Sequence, residues 1–322
     1  MRFLLTGGAG FIGSHLAISL VKKGHEVTVL DDLSSGSMEN LESVKDAVKI
    51  EVGSVSSLKT VRKMAREADV IYHLATQCLI MGMDNPAYLQ ATNDVGTFNV
   101  CQAAKEYGCK LNYIGTSEQY GIQEKFPIRE DAPLRPRSLY ALTKVLGESY
   151  VKYFHEVHKV PAVIIRPFNC YGPLQREDLD MERLMRGFNA YAGVITSFIK
   201  RLEKGEPPVI FGNGLQSRDF TYVSDIVDGF VLLGELGDCE TVNLGSGRAV
   251  SILELAGMMV DAWGADEKLK NVVFKDCRPN DIRALLADIQ LARSYGYSPK
   301  VPFEDGLKRY VEWYKEKLQA HR

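Results

Sequence analysis

The feature that most limits the fold is a glycine-rich turn directly after the first apolar segment. Glycines 7, 10 and 13 have the spacing Gly-x-x-Gly-x-x-Gly. In a strand–turn–helix unit the first glycine permits a sharp turn, the second lets backbone N–H groups approach a pyrophosphate, and the third lets the helix pack on the strand. The N-terminus of the helix then faces the phosphates. The motif therefore predicts a dinucleotide site near the start of the chain.

Short apolar runs alternate with helical segments up to about residue 165, a pattern typical of a parallel sheet wound with helices. We expect helices near 12–23, 58–67, 92–107 and 138–158. The expected strands are 2–5, 27–30, 48–52, 70–74, 110–115 and 162–166.

The chain has 322 residues, enough for a nucleotide-binding domain and a smaller second lobe. We predict an α/β fold in which a Rossmann doubly wound parallel sheet spans residues 1–167 and also receives segments near 209–245. A smaller α/β substrate-binding lobe is expected over 168–322. Beyond Pro167 we expect a loop at 174–188, helices near 194–204, 224–236, 252–263 and 304–318, and strands at 209–211 and near 242.

Asp31 ends the second predicted strand, about 20 residues beyond the glycines, where a carboxylate accepts hydrogen bonds from the adenosine ribose hydroxyls. This carboxylate would repel a 2′-phosphate, and no arginine follows immediately to bind one. The sequence therefore favours NAD over NADP.

Tyr140 and Lys144 stand four residues apart in a helical stretch, so their side chains share one face. A lysine ammonium close to a phenol, together with a positive nicotinamide, lowers the pKa of the phenol toward neutrality. The tyrosine then becomes a base for a substrate hydroxyl. Without the glycine motif, the same pair would more simply be an exposed helix face.

Composition excludes several other functions. The 39 Lys and Arg against 41 Asp and Glu give a net charge of −2, so no overall field attracts nucleic acid or anionic lipid. The six cysteines are scattered, without a Cys-x-x-Cys pair, and His155 and His158 have no third partner, so no metal is expected. No apolar run reaches the roughly 20 residues of a membrane span. We expect a soluble, cytoplasmic protein with free thiols and without membrane or nucleic-acid partners.

Blocks along nearly the whole chain resemble the extended short-chain dehydrogenase/reductases, specifically the nucleotide-sugar epimerase/dehydratase family. The glycine motif and the Tyr140 and Lys144 pair carry this resemblance, together with further blocks in similar order and spacing. These further blocks are Asp31–Gly36, His73–Gln77, Asn93–Thr97, Gly115–Gly121, Arg166–Asn169, Ser217–Phe220 and Arg278–Asp281.

The resemblance implies three catalytic roles. Tyr140 would be the base, Lys144 would bind the nicotinamide ribose and tune Tyr140, and Thr116 would hydrogen-bond the sugar 4-hydroxyl and relay its proton. Oxidation by NAD would give a 4-keto sugar. In an epimerase of this kind the hydride returns to the other face of the sugar, so NAD is regenerated and stays bound.

The resemblance also implies the binding residues. At position 54 the family commonly has an aspartate that contacts the adenine amine, so we expect Ser54 to hold the adenine more weakly. The positions that match cofactor-lining ones are Gly7, Gly10, Phe11, Ile12, Gly13, Asp31, Asp32, Ser34, Ser35, Gly36, Ser54, Val55, Leu74, Ala75, Thr76, Asn93, Tyr140, Lys144 and Pro167.

On the substrate side, Arg218 and Arg278 match positions that clamp the nucleotide diphosphate, and Asn169 matches one that hydrogen-bonds it. Guanidinium groups suit phosphate oxygens, although Arg218 could instead pair with Asp219. The residues that match the walls around the base are Val194, Ile195, Val209 and Phe211, which would also fit a hydrophobic core.

Glu118 leaves the reaction open. Simple 4-epimerases of the family usually have a small or hydroxyl residue there, whereas an acid is common in dehydratases and decarboxylases, where it acts as acid or base. The 4,6-dehydratases usually have Asp-Glu after the threonine, but here Ser117 precedes Glu118. We therefore favour C4 epimerisation of a UDP-hexose over dehydration or UDP-glucuronate decarboxylation.

Two alternatives to a nucleotide-sugar enzyme remain, a simple alcohol dehydrogenase and an NAD-binding regulatory protein. A simple alcohol dehydrogenase would release NADH, and an NAD-binding regulatory protein would need a broken catalytic set.

Arg176, Arg183 and Arg186 could reach a hexuronate carboxylate, but pairing with neighbouring acids is the simpler interpretation. The helices near 92–107 and 138–158 resemble those of a four-helix dimer interface, which implies a homodimer.

Overall fold

The structure, a computed structural model, describes residues 1–78, 85–175, 193–277 and 282–320. Its centre is a seven-stranded parallel sheet. The strands are β1 (Arg2–Thr6), β2 (Glu26–Asp31), β3 (Val48–Val52), β4 (Val70–His73), β5 (Lys110–Ile114), β6 (Ala162–Pro167) and β7 (Asp238–Leu244).

The strand order β7-β6-β5-β4-β1-β2-β3 confirms the Rossmann fold. The order reverses between β1 and β4, which pair directly. In such sheets, ligands bind in the crevice at the carboxyl ends of the strands beside this reversal. The glycine motif follows β1, and the block His73–Gln77 begins at the last residue of β4, so both lie at this crevice.

Alternation along each strand places successive side chains on opposite faces of the sheet. Phe3 and Leu5 of β1 belong to one core with helix 11–22, whereas Leu4 belongs to a second core with helix 139–158. Both faces of the sheet are therefore covered, and this explains why its strands are continuous apolar runs in the sequence.

The helices agree closely with the predicted segments. None of those in the described ranges has an apolar stretch long enough to span a membrane. Their bounds are α1 (Phe11–Lys22), α2 (Leu58–Ala65), α3 (Pro86–Gln90), α4 (Gly96–Tyr107), α5 (Leu139–His158), α6 (Val194–Glu203), α7 (Val223–Leu233), α8 (Ile252–Trp263), α9 (Gln290–Ser294) and α10 (Phe303–Ala320).

The helix expected near residue 92 begins earlier. Asn85 caps α3 by accepting a hydrogen bond from the Tyr88 backbone N–H at 3.0 Å, and Pro86 occupies the first helical position. A π-helical turn, Ala91–Val95, then leads into α4. Such turns are frequent at functional sites.

The segments near 209–245 divide between two regions. Helix α7 and strand β7 join the central sheet, where β7 pairs with β6. The strand Val209–Phe211 does not join the central sheet; it pairs with Val273–Lys275. The remaining short strands are Cys170–Tyr171 with Thr221–Tyr222, and Ala249–Ser251 with Ser217–Asp219 and Ala284–Leu285.

Candidate active site

The glycine loop has no room for side chains. Gly7 has a positive φ of 73°, and a Cβ there would lie 2.7 Å from the backbone nitrogen of Ala75. A Cβ on Gly13 would collide with the carbonyl oxygen of Gly7. Gly10 is the N-cap of α1 and has no side chain that bonds the N–H groups of the first turn. The loop is therefore a cradle open to an anionic ligand.

Asp31 holds this loop in place. Its carboxylate accepts hydrogen bonds from the backbone N–H groups of Ala9 and Leu33, each at 2.9 Å. Burial raises the pKa of Asp31. The carbonyl of Ala9 accepts a further bond from the side-chain amide of Asn40 at 2.9 Å. The sequence did not reveal Asn40, because an amide in a turn has no distinctive spacing.

Asp32 and Ser34 belong to a second network. Asp32 accepts hydrogen bonds from the Ser34 hydroxyl at 2.6 Å and from the Tyr88 phenol at 2.7 Å. The side-chain amide of Gln77 donates to the Ser34 hydroxyl at 2.7 Å. Tyr88 and Gln77 therefore orient two predicted cofactor residues. Sequence analysis assigned neither a role, since the contacts join distant segments.

The turn after β3 contains Ser54 and Val55. The Ser54 hydroxyl is 2.9 Å from that of Ser56, and it accepts a bond from the Ser56 backbone N–H at 3.2 Å. Val55 is buried, and its carbonyl accepts a bond from the Asn99 side chain on α4 at 3.0 Å. Contact of Ser54 with adenine stays a prediction.

Asn93 braces the segment after β4 against α5. Its side-chain oxygen accepts a bond from the Gln77 backbone N–H at 2.7 Å, and from the Thr76 hydroxyl at 3.2 Å. Its amide nitrogen donates to the Thr143 hydroxyl at 3.1 Å. Because Asn93 is buried and its amide bonds to protein groups, it supports the site through these neighbours.

His73, at the end of β4, is a packed residue. Its two ring nitrogens lie 2.7 Å from the Thr6 hydroxyl and 2.9 Å from the Thr97 hydroxyl. Thr97 donates its proton to the Asn93 carbonyl, so it accepts from His73 Nε2. Burial lowers the pKa of His73 to about 3, and the ring is neutral.

Tyr140 and Thr116 come together although they lie on different elements. Tyr140 is in the first turn of α5, which Ser138 caps by accepting from the Ala141 N–H at 3.0 Å. Thr116 follows β5 and caps the 3₁₀-helix Ser117–Tyr120. Its side chain lies beside the phenol of Tyr140 and lowers the pKa of that phenol. Gln119, which the sequence did not single out, fixes Thr116 by accepting its backbone N–H at 2.9 Å.

Burial and a few neighbours set the pKa of Tyr140. Burial raises it well above its ordinary value, and the Thr116 side chain opposes this. The Lys144 ammonium lies 4.4 Å from the centre of the Tyr113 ring. Burial lowers the pKa of Lys144 to about 7. The lowering of the phenol pKa by Lys144 and a positive nicotinamide together stays a prediction, because these directions reflect the protein groups alone, for which desolvation dominates.

Glu118 lies close to the same phenol, and its charge raises the pKa of Tyr140. Its backbone N–H donates to the Thr116 hydroxyl at 3.3 Å. Ser117, in contrast, is buried. A carboxylate thus accompanies the Tyr140 and Thr116 pair.

The substrate side is described in part. Arg218 donates to the backbone carbonyls of Ser217 at 2.9 Å and Ile282 at 2.7 Å, and Asp219 accepts from Ser246. Asn169 is more informative, because its buried amide nitrogen has no hydrogen-bond partner among the described residues. A buried amide of this kind is expected to find a partner when a ligand binds. Arg278 and residues 176–188 of the predicted loop, which include its three arginines, lie outside the described residues.

The residues that were predicted to line the base lie on two separate elements. Val194 begins α6, and Val209 is buried in a strand that pairs with Val273–Lys275. Phe211, in the same strand, is half-buried, and its carbonyl accepts from the Gln216 side chain at 2.8 Å. Contact with a base stays a prediction for all three. Pro167 ends β6 beside Leu244.

The donor set fits a dinucleotide. The glycine cradle, the uncapped N-terminus of α1 and the Asp31 carboxylate have the arrangement that binds a pyrophosphate and a ribose. Within the described part of the chain, no three His, Cys, Asp or Glu side chains form a group able to hold a metal ion.

Comparison with known proteins identifies relatives along the whole chain. A model of the NAD-dependent epimerase/dehydratase family matches residues 3–245. UDP-glucose 4-epimerase of Mycolicibacterium smegmatis is 35% identical over 327 residues, covering 99% of this chain and 100% of that protein. UDP-N-acetyl-α-D-glucosaminuronate decarboxylase of Bacillus cytotoxicus is 33% identical over 330 residues, covering 98% of each.

A solved structure agrees with these sequence matches. UDP-glucose 4-epimerase of Thermotoga maritima, solved with UDP-glucose, superposes with a TM-score of 0.89 at 32% identity and covers 99% of this chain and 100% of that one. The matches confirm the predicted family, the fold and the use of NAD.

Proposed function

Because the chain belongs to the NAD-dependent epimerase/dehydratase family, we propose that it is a nucleotide-sugar 4-epimerase acting on a UDP-hexose. The observation that carries the proposal is that the Thr116 side chain lies beside the Tyr140 phenol and lowers its pKa, the pairing that proton transfer with a sugar hydroxyl requires. The similarity to 4-epimerases over almost the full length of the chain supports the choice of reaction.

In the proposed reaction, Tyr140 and Thr116 move one proton. Tyr140 as phenolate takes the proton of the sugar 4-hydroxyl, and Thr116 orients that hydroxyl and relays the proton. When held by the glycine cradle and Asp31, NAD would supply a hydride acceptor and donor for C4 and a positive ring that favours the phenolate. Tyr140 then gives the proton back to the oxygen at C4. Hydride and proton are both returned, so the sugar changes only its configuration.

The neighbours of Glu118 support epimerisation over dehydration. Loss of the C6 hydroxyl as water needs an acid to protonate the leaving oxygen. The residue before Glu118 is Ser117, a buried hydroxyl that is not an acid at neutral pH. A dehydratase would therefore lack its usual proton donor at this position.

Decarboxylation is the second candidate, and the position of Glu118 beside Tyr140 favours it. Oxidation of a UDP-hexuronate at C4 makes a β-keto acid, which loses carbon dioxide and needs a proton at C5. Glu118 is placed to take part in that proton transfer. The match to a nucleotide-sugar decarboxylase at 33% identity also supports this candidate.

We further propose that the protein is a cytoplasmic homodimer. All six cysteines are free thiols, which suits a reducing compartment. Helices α4 and α5 pack together and expose apolar side chains at helical spacing, which suits a second copy related by two-fold symmetry in a four-helix bundle. The exposed residues of this apolar stripe are Val95, Phe98, Leu139, Leu142, Leu146, Tyr153 and Val157.

The experiment that tests the reaction uses the purified protein without added NAD. UDP-glucose, UDP-N-acetylglucosamine, UDP-glucuronate and dTDP-glucose are each incubated with it, and the products are identified by mass spectrometry and NMR. Epimerisation leaves the mass unchanged, dehydration removes one water and decarboxylation removes carbon dioxide. Net release of NADH would instead indicate a simple dehydrogenase, and no turnover of any sugar would favour a regulatory NAD-binding protein.

Glu118→Gln separates the two leading candidates. An epimerase keeps its rate within roughly tenfold, because Tyr140 and Thr116 carry the proton, whereas a decarboxylase loses on the order of 10²-fold when an acid–base group is removed. Glu124→Gln, an exposed residue in the following turn, is the matched control. Loss of carbon dioxide from UDP-glucuronate, abolished by Glu118→Gln alone, would replace the epimerase proposal.

A further inference from the structure

A buried ion pair joins the helix of Tyr140 and Lys144 to strand β6. The Arg166 guanidinium donates to both oxygens of the Glu148 carboxylate, at 2.8 and 2.6 Å, and both side chains are only 2% exposed. Arg166 also donates to the phenol of Tyr120 at 2.8 Å. Tyr120 ends the short helix that Thr116 begins. The Arg166 guanidinium thus bonds Glu148 on the helix of Tyr140 and Lys144, and also Tyr120 on the short helix that follows Thr116.

Glu148 stands four residues after Lys144 on α5, so the two side chains share one face. Lys144 is 3% exposed, with its ammonium over the Tyr113 ring. A buried ammonium loses hydration, which favours its neutral form. Glu148 is the carboxylate whose charge raises the pKa of Lys144 against this effect.

Other titratable or charged groups lie on the elements around this part of α5. They are Tyr140 on α5 itself, His73 on β4, Asp94 on the π-helical turn, Tyr113 on β5, Glu118 on the 3₁₀-helix, Arg166 on β6 and Cys239 on β7. Asp94 accepts the Tyr150 phenol at 2.7 Å, and Glu118 acts on Tyr140. His73 is neutral, as its buried ring requires. Glu148 is therefore the acid best placed to act on Lys144.

We propose that Glu148, held by Arg166, is a positioning residue that keeps Lys144 protonated. Its effect on turnover rests on the proposed function and on the predicted role of a charged Lys144 beside the Tyr140 phenolate, but its effect on Lys144 does not. Arg166 orients the carboxylate by bonding both of its oxygens. The pair is thus more than a structural clamp between α5 and β6.

The experiment measures the charge of Lys144 directly. Lysine labelled with ¹³C at the ε carbon is incorporated into the full-length, NAD-saturated protein, and the Lys144 signal is identified by its absence in Lys144→Arg. Its pH titration is followed in the wild type and in Glu148→Gln. We expect the pKa of Lys144 to fall by about 1 unit or more when the carboxylate is lost. Glu148→Asp should restore it, and Glu156→Gln, an exposed residue of the same helix, should leave it unchanged.

A second variant covers the case in which Glu148→Gln fails to fold, because it leaves the buried Arg166 unpaired. In the double variant Glu148→Leu with Arg166→Met, apolar residues replace the whole pair, a change that is often neutral for stability. A smaller fall in the Lys144 pKa is expected there, because the positive charge of Arg166 is lost as well. A folded Glu148→Gln or double variant with the wild-type titration would overturn the proposal and leave the pair a structural clamp.

The rate profile provides the second readout. In Glu148→Gln the loss of kcat at high pH should begin about 1 pH unit lower than in the wild type, with KM for the sugar changing less than kcat. A shifted Lys144 titration with no turnover of any sugar would refute the proposed reaction alone. An unshifted titration with active enzyme would refute the role of Glu148 alone.

Discussion

The side chain of Thr116 lies beside the phenol of Tyr140 and lowers its pKa, so the turn after β5 and the first turn of α5 meet at a candidate proton-transfer pair. The conformation of either element alone would not bring Thr116 and Tyr140 together. Ser138 fixes the start of α5, and Gln119 fixes the backbone of Thr116. The pair thus depends on two local caps and on the pairing of the strands between them.

Removing either hydroxyl should test this pair. Tyr140→Phe should lower kcat by about 10²- to 10⁴-fold, the usual contribution of a general base, while NAD still binds. Thr116→Val should also lower kcat, whereas Thr116→Ser keeps the hydroxyl and most of the rate. Steady-state kinetics and isothermal titration with NAD provide the measurements. A full rate in Thr116→Val, with a loss in Thr116→Ser, would show that the methyl group, rather than the hydroxyl, matters.

Gly13→Ala should impair NAD binding, because the added Cβ meets the carbonyl oxygen of Gly7 and forces the cradle open. We expect at least a tenfold higher Kd for NAD, measured by isothermal titration. Gly257→Ala on α8 is the matched control, since a Cβ there meets nothing within 4 Å. This control should bind NAD normally and gain about 0.5–1 kcal/mol of stability, as expected for alanine in a helix. Unchanged NAD affinity in Gly13→Ala would contradict the cradle.

His73 should make the protein sensitive to acid. The pKa of His73 is about 3 in the folded protein against 6.5 as its ordinary value. Between these values the unfolded chain binds a proton that the folded protein does not, so the free energy of unfolding falls as the pH falls from 6.5 toward 3. The slope from one such group is about 1.4 kcal/mol per pH unit. Denaturant unfolding between pH 7 and 4.5 should show a smaller slope for His73→Asn than for the wild type, and equal slopes would refute this assignment.

Leu146→Glu should convert the proposed dimer into monomers. Leu146 is exposed on α5 in the middle of the apolar stripe, and two copies of the new carboxylate would be buried against each other across a two-fold axis. Light scattering coupled to size-exclusion chromatography gives the molar mass. Leu253→Glu, an equally exposed leucine on α8, should leave the mass unchanged. A monomeric wild type would rule out the dimer.

Much of the fold follows from local patterns. The apolar runs of the N-terminal half became the six predicted strands, and the bounds of Val209–Phe211 and Ile252–Trp263 agree with the prediction. Val209–Phe211 was expected to join the central sheet but pairs with Val273–Lys275, because an isolated apolar run does not reveal which strand it will pair with. The start of the helix near residue 92 was also missed, since Asn85 and Pro86 signal a helix that continues through a π-helical turn.

The amino-acid sequence by itself determined the dinucleotide cradle and the Tyr140 and Lys144 spacing, because both depend on the conformation of adjacent residues. Only the tertiary structure decided how charge is distributed around them. Desolvation raises the pKa of Tyr140 and lowers that of Lys144, and the opposing carboxylate of Glu148 is oriented by Arg166 on another element. Burial and long-range pairing set these values, and neither is visible in the order of the residues.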